Sequence, residues 1–391
     1  MGRNIFYFKF YEQHIIPNCI ANLSFAHNKK VFYQKTGSNA SLSNANHLGL
    51  FPTYINFEVI HPEKFKRVQI KDNKIDGCAI ALEGYDSIDN YIKSQFRSKN
   101  KTGLNRSIKR LEKSFRLRHR IFFGEITRED YIFLMTTLKA MLSSRFSLIN
   151  KTNFAILKWD SIYERGFNMI NEKKASLSVI FNNDEPIDIS LSYHFNKIMF
   201  SAVSSYDINY SKFGLGQVSI YKELEWCFAN NYDVLDLTHG NLQYKKNWCN
   251  IVYGFEDHII YKKKSFTGAI LFLTALGKVH FRNFLKNANI DVLMEKIKIG
   301  LQKQNEDCKT DTLNYDIESV ESMDKDKINV LIEINLAQEN YRHLKKPFYD
   351  FLYTSQEVME DVKIFQDNMN HLKFYFLGKN DKSKIIFINE K

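Results

Sequence analysis

The chain has 391 residues, enough for two or three ordinary domains or one duplicated domain with a substantial core. A hydrophobic share of 44% against 25% charged residues excludes global disorder. Cys19, Cys78, Cys227, Cys249 and Cys308 are widely spaced, with no C-x-x-C pair and no histidine at zinc spacing, which argues against a disulfide framework and for a reducing compartment.

The net charge of +11 is uneven: residues 91–120 hold five lysines and six arginines against Glu112. Such a stretch either meets something anionic or is a solvated helix face. The N-terminus is broken by Lys9 and Glu12 before reaching signal-peptide length, and the longest apolar run, FTGAILFLTALG from Phe266, has 12 residues. A spanning helix needs about 20. A cytoplasmic, optionally membrane-peripheral protein is expected.

Residues 1–90 read as short strands with polar loops (NKKVFYQKT, PTYINFEVI, GCAIALEGY) and little helix. Beyond Gly103, Leu104, Ile108, Leu111 and Phe115 recur at helical spacing with Arg106, Lys109, Arg110 and Lys113 on the other faces, predicting an amphipathic helix with a basic exterior. Thr127 and Asp130 resemble a capping box opening a second helix, and a third is predicted from Phe154 to Glu164, ending at Gly166. KASLSVIF, PIDISLSYHF and IMFSAVSSY form an antiparallel meander, its middle strand half-buried with Asp188, Ser190, Ser192 and His194 on the polar face. A helix over 217–230 and the strand DVLDLT follow. Helix resumes from Lys264 to Ile297. Residues 305–327 carry eight acids against three lysines and read as a linker, and the remainder is a small region with no assigned chemistry.

The stretch 210–248 concentrates the candidate chemistry. Gly214 and Gly216 lie between a strand and a helix N-terminus, where glycine admits close backbone approach and free N–H groups favour a phosphate. The alternative is a tight strand-to-helix turn without a ligand. Asp236 and His239 are candidate bases, Tyr206 and Tyr244 candidate acids, and Lys245 a partner for a phosphate or oxyanion. Equally, Asp236 caps its loop, His239 is an ordinary loop residue and Tyr244 belongs to the core.

The order of meander, glycine turn, helix, strand and polar loop resembles the acyl-CoA-binding half of the GNAT acyltransferase fold. The window Ser211, Lys212, Phe213, Gly214, Leu215, Gly216 occupies the place of that family's pyrophosphate signature, with Ser where Gln or Arg is usual; Gln217 follows it. Together, SQFRSKNKTGLNRSIKRLEKSF, AVSSYDINYSKFGLG and LDLTHGNLQYKKNW resemble the CelD-like acetyltransferases of polysaccharide biosynthesis and the related Fem-type aminoacyl transferases. In that branch a basic helix precedes an Asp-x-x-x-Gly-x-x-x-Tyr-Lys pattern, here Asp236, Gly240, Tyr244 and Lys245.

The resemblance implies an α+β (mixed α/β) fold of two GNAT-like halves, each a mixed, mostly antiparallel sheet flanked by helices. The halves are 1–120, degenerate and ending in the basic helix, and 121–264, catalytic. A helical extension (265–304), the acidic linker (305–327) and a C-terminal appendage (328–391) complete the chain. It further implies acetyl-CoA or another acyl-CoA as co-substrate and no metal. The acceptor is a nucleotide-sugar, lipid-linked or polysaccharide precursor, its phosphates or an anionic membrane surface met by Arg97, Arg106, Lys109 and Arg110. The alternatives are Fem-type transfer from aminoacyl-tRNA to a peptidoglycan-like precursor, and a non-catalytic double-GNAT protein that binds anionic glycan or nucleic acid.

Overall fold

The computed structural model describes residues 2–37, 42–148, 154–239, 243–288, 314–320, 331–379 and 383–389. β1 (Asn4–Ile5) leads into α1 (Phe6–Gln13), followed by β2 (Ile20–Phe25), β3 (Val31–Gln34), β4 (Ala45–Pro52), β5 (Ile55–Val59) and β6 (Phe65–Ala81). Next come α2 (Ile88–Gln95), the basic α3 (Ser98–Ser114), β7 (Leu117–Phe122), α4 (Arg128–Leu148), α5 (Phe154–Leu157) and α6 (Trp159–Asn171). The meander of β8 (Ala175–Asn182), β9 (Glu185–Phe195) and β10 (Ile198–Tyr206) enters a 3-10 turn (Ile208–Phe213) and α7 (Leu215–Ala229). Then follow β11 (Val234–His239), α8 (Gln243–Trp248), β12 (Ile251–Lys262) and α9 (Phe266–Asn287). The C-terminal region holds β13 (Asn314–Val320), β14 (Ile332–Glu333), α10 (Lys345–Ser355), β15 (Lys363–Gln366), β16 (Lys373–Leu377) and β17 (Ser383–Asn389). The fold is mixed α and β.

Two compact units divide the chain: Met1–Gln95 with Tyr193–Ala202 and Cys227–Asp307, and Phe96–Ser192 with Val203–Trp226 and Cys308–Lys391. They interleave because β9, β10 and α7 each run from one into the other.

In the first unit the strand order is β1-β4-β12-β6-β11-β10. β1 with β4 and β10 with β11 are parallel, and the other neighbours are antiparallel. A small antiparallel sheet, β3-β2-β5, accompanies it. Although residues 1–90 read as strands, α1 is helical, and Phe6, Tyr7, Phe10 and Tyr11 are all buried along one side of it. Aromatic residues favour strands locally, and here packing on the sheet overrides that preference. Cys19, Cys78, Cys227 and Cys249 are buried and form no disulfide.

In the second unit the order is β7-β8-β9-β10. Thr127 caps α4 as its spacing predicts, its Oγ1 accepting from the Asp130 N–H at 3.1 Å. The third helix does not stop at Gly166: α6 runs on to Asn171. A Cβ on Gly166 would stand 2.5 Å from the Tyr131 hydroxyl, so this glycine lets α6 approach α4 closely and ends nothing. The polar face of β9 is not half-exposed either. Ser219 of α7 donates to Asp188 at 2.7 Å and lies 3.0 Å from Ser190, while Ser192 donates to Glu223 at 3.0 Å. Polar residues alternate on this strand because a polar helix face covers them.

The C-terminal region forms an antiparallel sheet, β13-β17-β16-β15-β14, in the second unit. β13 falls inside the stretch read as linker; the rest of that stretch lies outside the described residues. Phe348, Tyr349, Phe351, Leu352 and Phe376 share one buried cluster with Leu111, Phe115, Tyr210, Phe213 and Val218. The supposed appendage thus supplies half the core beneath α3 and the glycine turn.

Candidate active site

In the second unit, β10 ends at Tyr206 and the Asp207 carboxylate opens the 3-10 turn by accepting from the Asn209 N–H at 2.9 Å. Burial pushes the Asp207 carboxyl up. Gly214 closes the turn at φ 68, in the left-handed region, and its carbonyl accepts from the N–H groups of Gln217 and Val218 as α7 begins. Tyr210, Phe213 and Leu215 are fully buried anchors. Ser211 and Lys212 are exposed, Gly216 and Gln217 half-buried. The loop therefore offers backbone N–H groups, with the exposed Ser211 and Lys212 side chains beside them, to a ligand at the helix N-terminus.

The basic helix flanks this turn: Ser107 Oγ lies 3.2 Å from where a Gly214 Cβ would stand. Arg97, Arg106 and Lys109 are exposed, whereas the Arg110 guanidinium lies 4.4 Å over the Tyr353 ring. α10 reaches the turn as well, with Lys346 Nζ donating to Ser211 Oγ at 3.1 Å and Lys212 paired to Asp350 at 3.2 Å. Spacing within the turn could not reveal Lys346, Asp350 or Tyr353, which arrive from more than a hundred residues away. Tyr206 lies half-buried beneath the Arg145 guanidinium at 4.9 Å, on a cavity of about 660 Å³ that Phe133, Met141, Glu185 and Asp207 also line.

The first unit holds the other candidates. β10 and β11 pair in parallel from Ile198–Val234 to Phe200–Asp236, and the register ends there although both strands continue. Against β6, β11 shifts register between Asp236 and His239. Thr238 in this bulge adopts φ 60, a conformation costly for a β-branched residue. Two bonds hold it: its N–H donates to Asp236 Oδ1 at 2.7 Å, and its hydroxyl to the Ser201 carbonyl at 3.3 Å.

Asp236 is wholly buried and caged by tyrosines. Tyr54 and Tyr7 donate to Oδ2 at 2.7 and 3.0 Å, and Tyr253 spans Oδ1 and Oδ2 at 2.8 and 3.0 Å. Three phenolic hydrogens and one amide hydrogen thus meet two carboxylate oxygens, a donor set suited to the ionised form. Burial outweighs these donors and raises the carboxyl to about 6. The tyrosines are themselves buried, and their hydroxyls are pushed well above the ordinary phenol range by desolvation and by the Asp236 charge. Gly77, opposite Tyr253 in the β6–β12 ladder, makes room for that ring: a Cβ there would stand 2.2 Å from it.

Directly after the bulge, His239 is exposed, edge-on to Phe8 at 5.7 Å. Desolvation and the neighbouring Lys245 hold its imidazole below the ordinary value. Lys245 Nζ donates to the Leu237 carbonyl at 2.9 Å, which ties α8 to the bulge. Tyr244 is half-buried, and Gly240 lies outside the described residues. Within this unit the fold therefore brings Asp236, His239 and Lys245 around one bulge, with Tyr7, Tyr54, Tyr253 and Gly77 as members that pattern reading missed. A total of 21 tyrosines was the sole trace of that cage in the composition.

Comparison with known proteins bears on this arrangement. Residues 98–246 match the family described as acetyltransferase (GNAT) domain. No curated protein matches. Among solved structures, similarity extends to a conserved protein of unknown function from Bacteroides thetaiotaomicron VPI-5482, at 11% identity and TM-score 0.36 over 52% of this chain; the alignment spans 64% of that protein's length. FemX matches at 10% identity and TM-score 0.39, over 55% of this chain and 72% of FemX. A tandem GNAT protein from the clavulanic acid biosynthesis pathway matches at 6% identity and TM-score 0.29, over 56% of this chain and 64% of that one. Residues 98–246 of this chain are thus similar to the acetyltransferase (GNAT) domain family.

Proposed function

We propose that this protein transfers an acyl group from acetyl-CoA, or a related acyl-CoA, to a hydroxyl or amine of a sugar in a cell-surface polysaccharide or envelope precursor. The observation that carries the reading is the domain match, which includes both the glycine turn and the Asp236–Lys245 segment. The helix start at Gly214 supports it: first-turn N–H groups of a 15-residue helix favour a pyrophosphate. So does the early end of the β10–β11 register, since backbone N–H groups released from a parallel ladder can polarise a thioester carbonyl.

In this reading the acceptor X–H attacks the thioester carbonyl, the C–S bond breaks, and coenzyme A leaves as a thiolate. His239, its pKa lowered by desolvation and by Lys245, takes the acceptor's proton. Tyr244, in the same unit as His239, returns one to the thiolate. Asp236, with its lone pairs occupied and no exposure, is a positioning residue: it holds the bulge from which His239 projects. Arg97, Arg106 and Lys109 are the cations available to acceptor phosphates.

A second reading, aminoacyl transfer from charged tRNA, is favoured by one observation. Ser211 and Lys212 are engaged by Lys346 and Asp350, which leaves fewer side-chain donors for a coenzyme A pyrophosphate. Calorimetric titration with acetyl-CoA and free coenzyme A, with Gly216→Asp as control, separates the two. Binding that the control loses supports the acyl-CoA site. No binding of either compound to the wild type refutes it, and tRNA becomes the donor to test.

A further inference from the structure

α9 is apolar on the side that faces water. Phe266, Ile270, Leu273, Phe281 and Phe284 are exposed, Phe266 at 82% and both Phe281 and Phe284 at 64%. Their spacing of four, three, eight and three residues puts all five within one narrow stripe of a helix turning 100° per residue, with Gly277 in its gap.

The opposite side is firmly held within the first unit. Ala275 and Val279 are buried there, and Phe272 stacks on Tyr261 at 4.5 Å. Gly268 lies so close to backbone that its Cβ would stand 3.1 Å from the Asn44 and Lys262 carbonyls. Arg282 pairs with Asp257 at 2.5 Å, a carboxylate that Arg3 and His47 also bond. The stripe is therefore a fixed outward feature, about 27 Å long at 1.5 Å per residue.

Its charge complement identifies the partner. No aspartate or glutamate occurs between Asp257 and Asp291, while Lys262, Lys263 and Lys264 are exposed just before the helix and Lys278 is exposed on it. Phenylalanines on the outer meridian, lysines at its margin and no acid are what a helix lying flat in the headgroup region of an anionic bilayer requires. Among the described residues no helix is long and apolar enough to cross a membrane. We infer that α9 seats this protein on an anionic membrane surface, its apolar stripe inserted among the acyl chains and Lys262–Lys264 against the headgroups. This inference rests on a different helix from the basic α3 and is independent of the acyl-transfer reading.

The test is flotation of the full-length protein with vesicles of phosphatidylcholine alone and of phosphatidylcholine with phosphatidylglycerol. The protein is expected to float with the anionic vesicles, less so as salt rises, and weakly with neutral ones. The triple variant Phe266→Ser, Phe281→Ser, Phe284→Ser changes only exposed side chains; it should keep the wild-type thermal midpoint and lose binding at least about tenfold. Lys262→Glu with Lys264→Glu should abolish the preference for anionic lipid. Wild-type protein that stays with neither vesicle, or a triple variant that floats as well as wild type, overturns the inference. A solution dimer that the triple variant turns into monomers overturns it in favour of a second copy as occupant.

Discussion

Replacing Tyr253 by Phe removes one hydroxyl from the Asp236 cage and leaves the ring in place. Burial raises the wild-type carboxyl from the ordinary 3.8 to about 6, so the fold binds its proton more tightly than the unfolded chain. Stability from this group is complete below the unfolded value and is lost as pH rises through about 6. At 1.36 kcal/mol per unit, the ionised form costs about 3 kcal/mol at neutral pH. The Tyr253 hydroxyl, at 2.8 and 3.0 Å from the two oxygens, offsets part of that cost. A hydrogen bond to a charged group contributes about 1.5–3 kcal/mol, one between neutral groups about 0.5–1.5. Tyr253→Phe should therefore lose more stability at about pH 7.5, where Asp236 is ionised, than at about pH 5, by roughly 1–1.5 kcal/mol. Urea unfolding at both pH values, with hydrogen exchange at the Thr238 amide as a local reporter, measures the difference. Equal losses at both pH values would refute the argument, because they would mean the hydroxyl merely fills space.

Gly77→Ala should push the Tyr253 ring off its seat and cost about 1–3 kcal/mol, read as a lowered thermal midpoint, because its Cβ would meet the ring at 2.2 Å. If His239 is the base, kcat/KM should rise with pH through a midpoint below the ordinary imidazole value of 6.5, and His239→Gln should flatten that limb and lower kcat by about 10²–10⁴-fold. Gly216→Asp should weaken acetyl-CoA binding in calorimetry, since a carboxylate would stand at the helix start that an anion is to occupy.

Features written by short-range periodicity were legible in the sequence. The meander, the basic α3, the Thr127 cap and the glycine turn into α7 all follow from side-chain alternation, 3.6-residue spacing or the special conformations of glycine, which depend on neighbours a few residues away. Gly166 and α1 were misread by the same local rules: a glycine resembles a helix end, and aromatics resemble a strand, until a second element packs against them. The Asp236 cage was invisible because Tyr7, Tyr54 and Tyr253 come from α1, the β4–β5 turn and β12, and only sheet pairing brings their hydroxyls to one carboxylate. The C-terminal region likewise reads as an appendage until Phe348, Tyr349 and Phe376 are seen closing the core under the glycine turn. The sequence by itself determined the meander, the basic α3 and the glycine turn into α7, and residues 98–246 are similar to the acetyltransferase (GNAT) domain family. The tertiary structure decided which polar groups are buried and by what they are satisfied, because desolvation and hydrogen-bond satisfaction depend on neighbours that chain spacing does not encode.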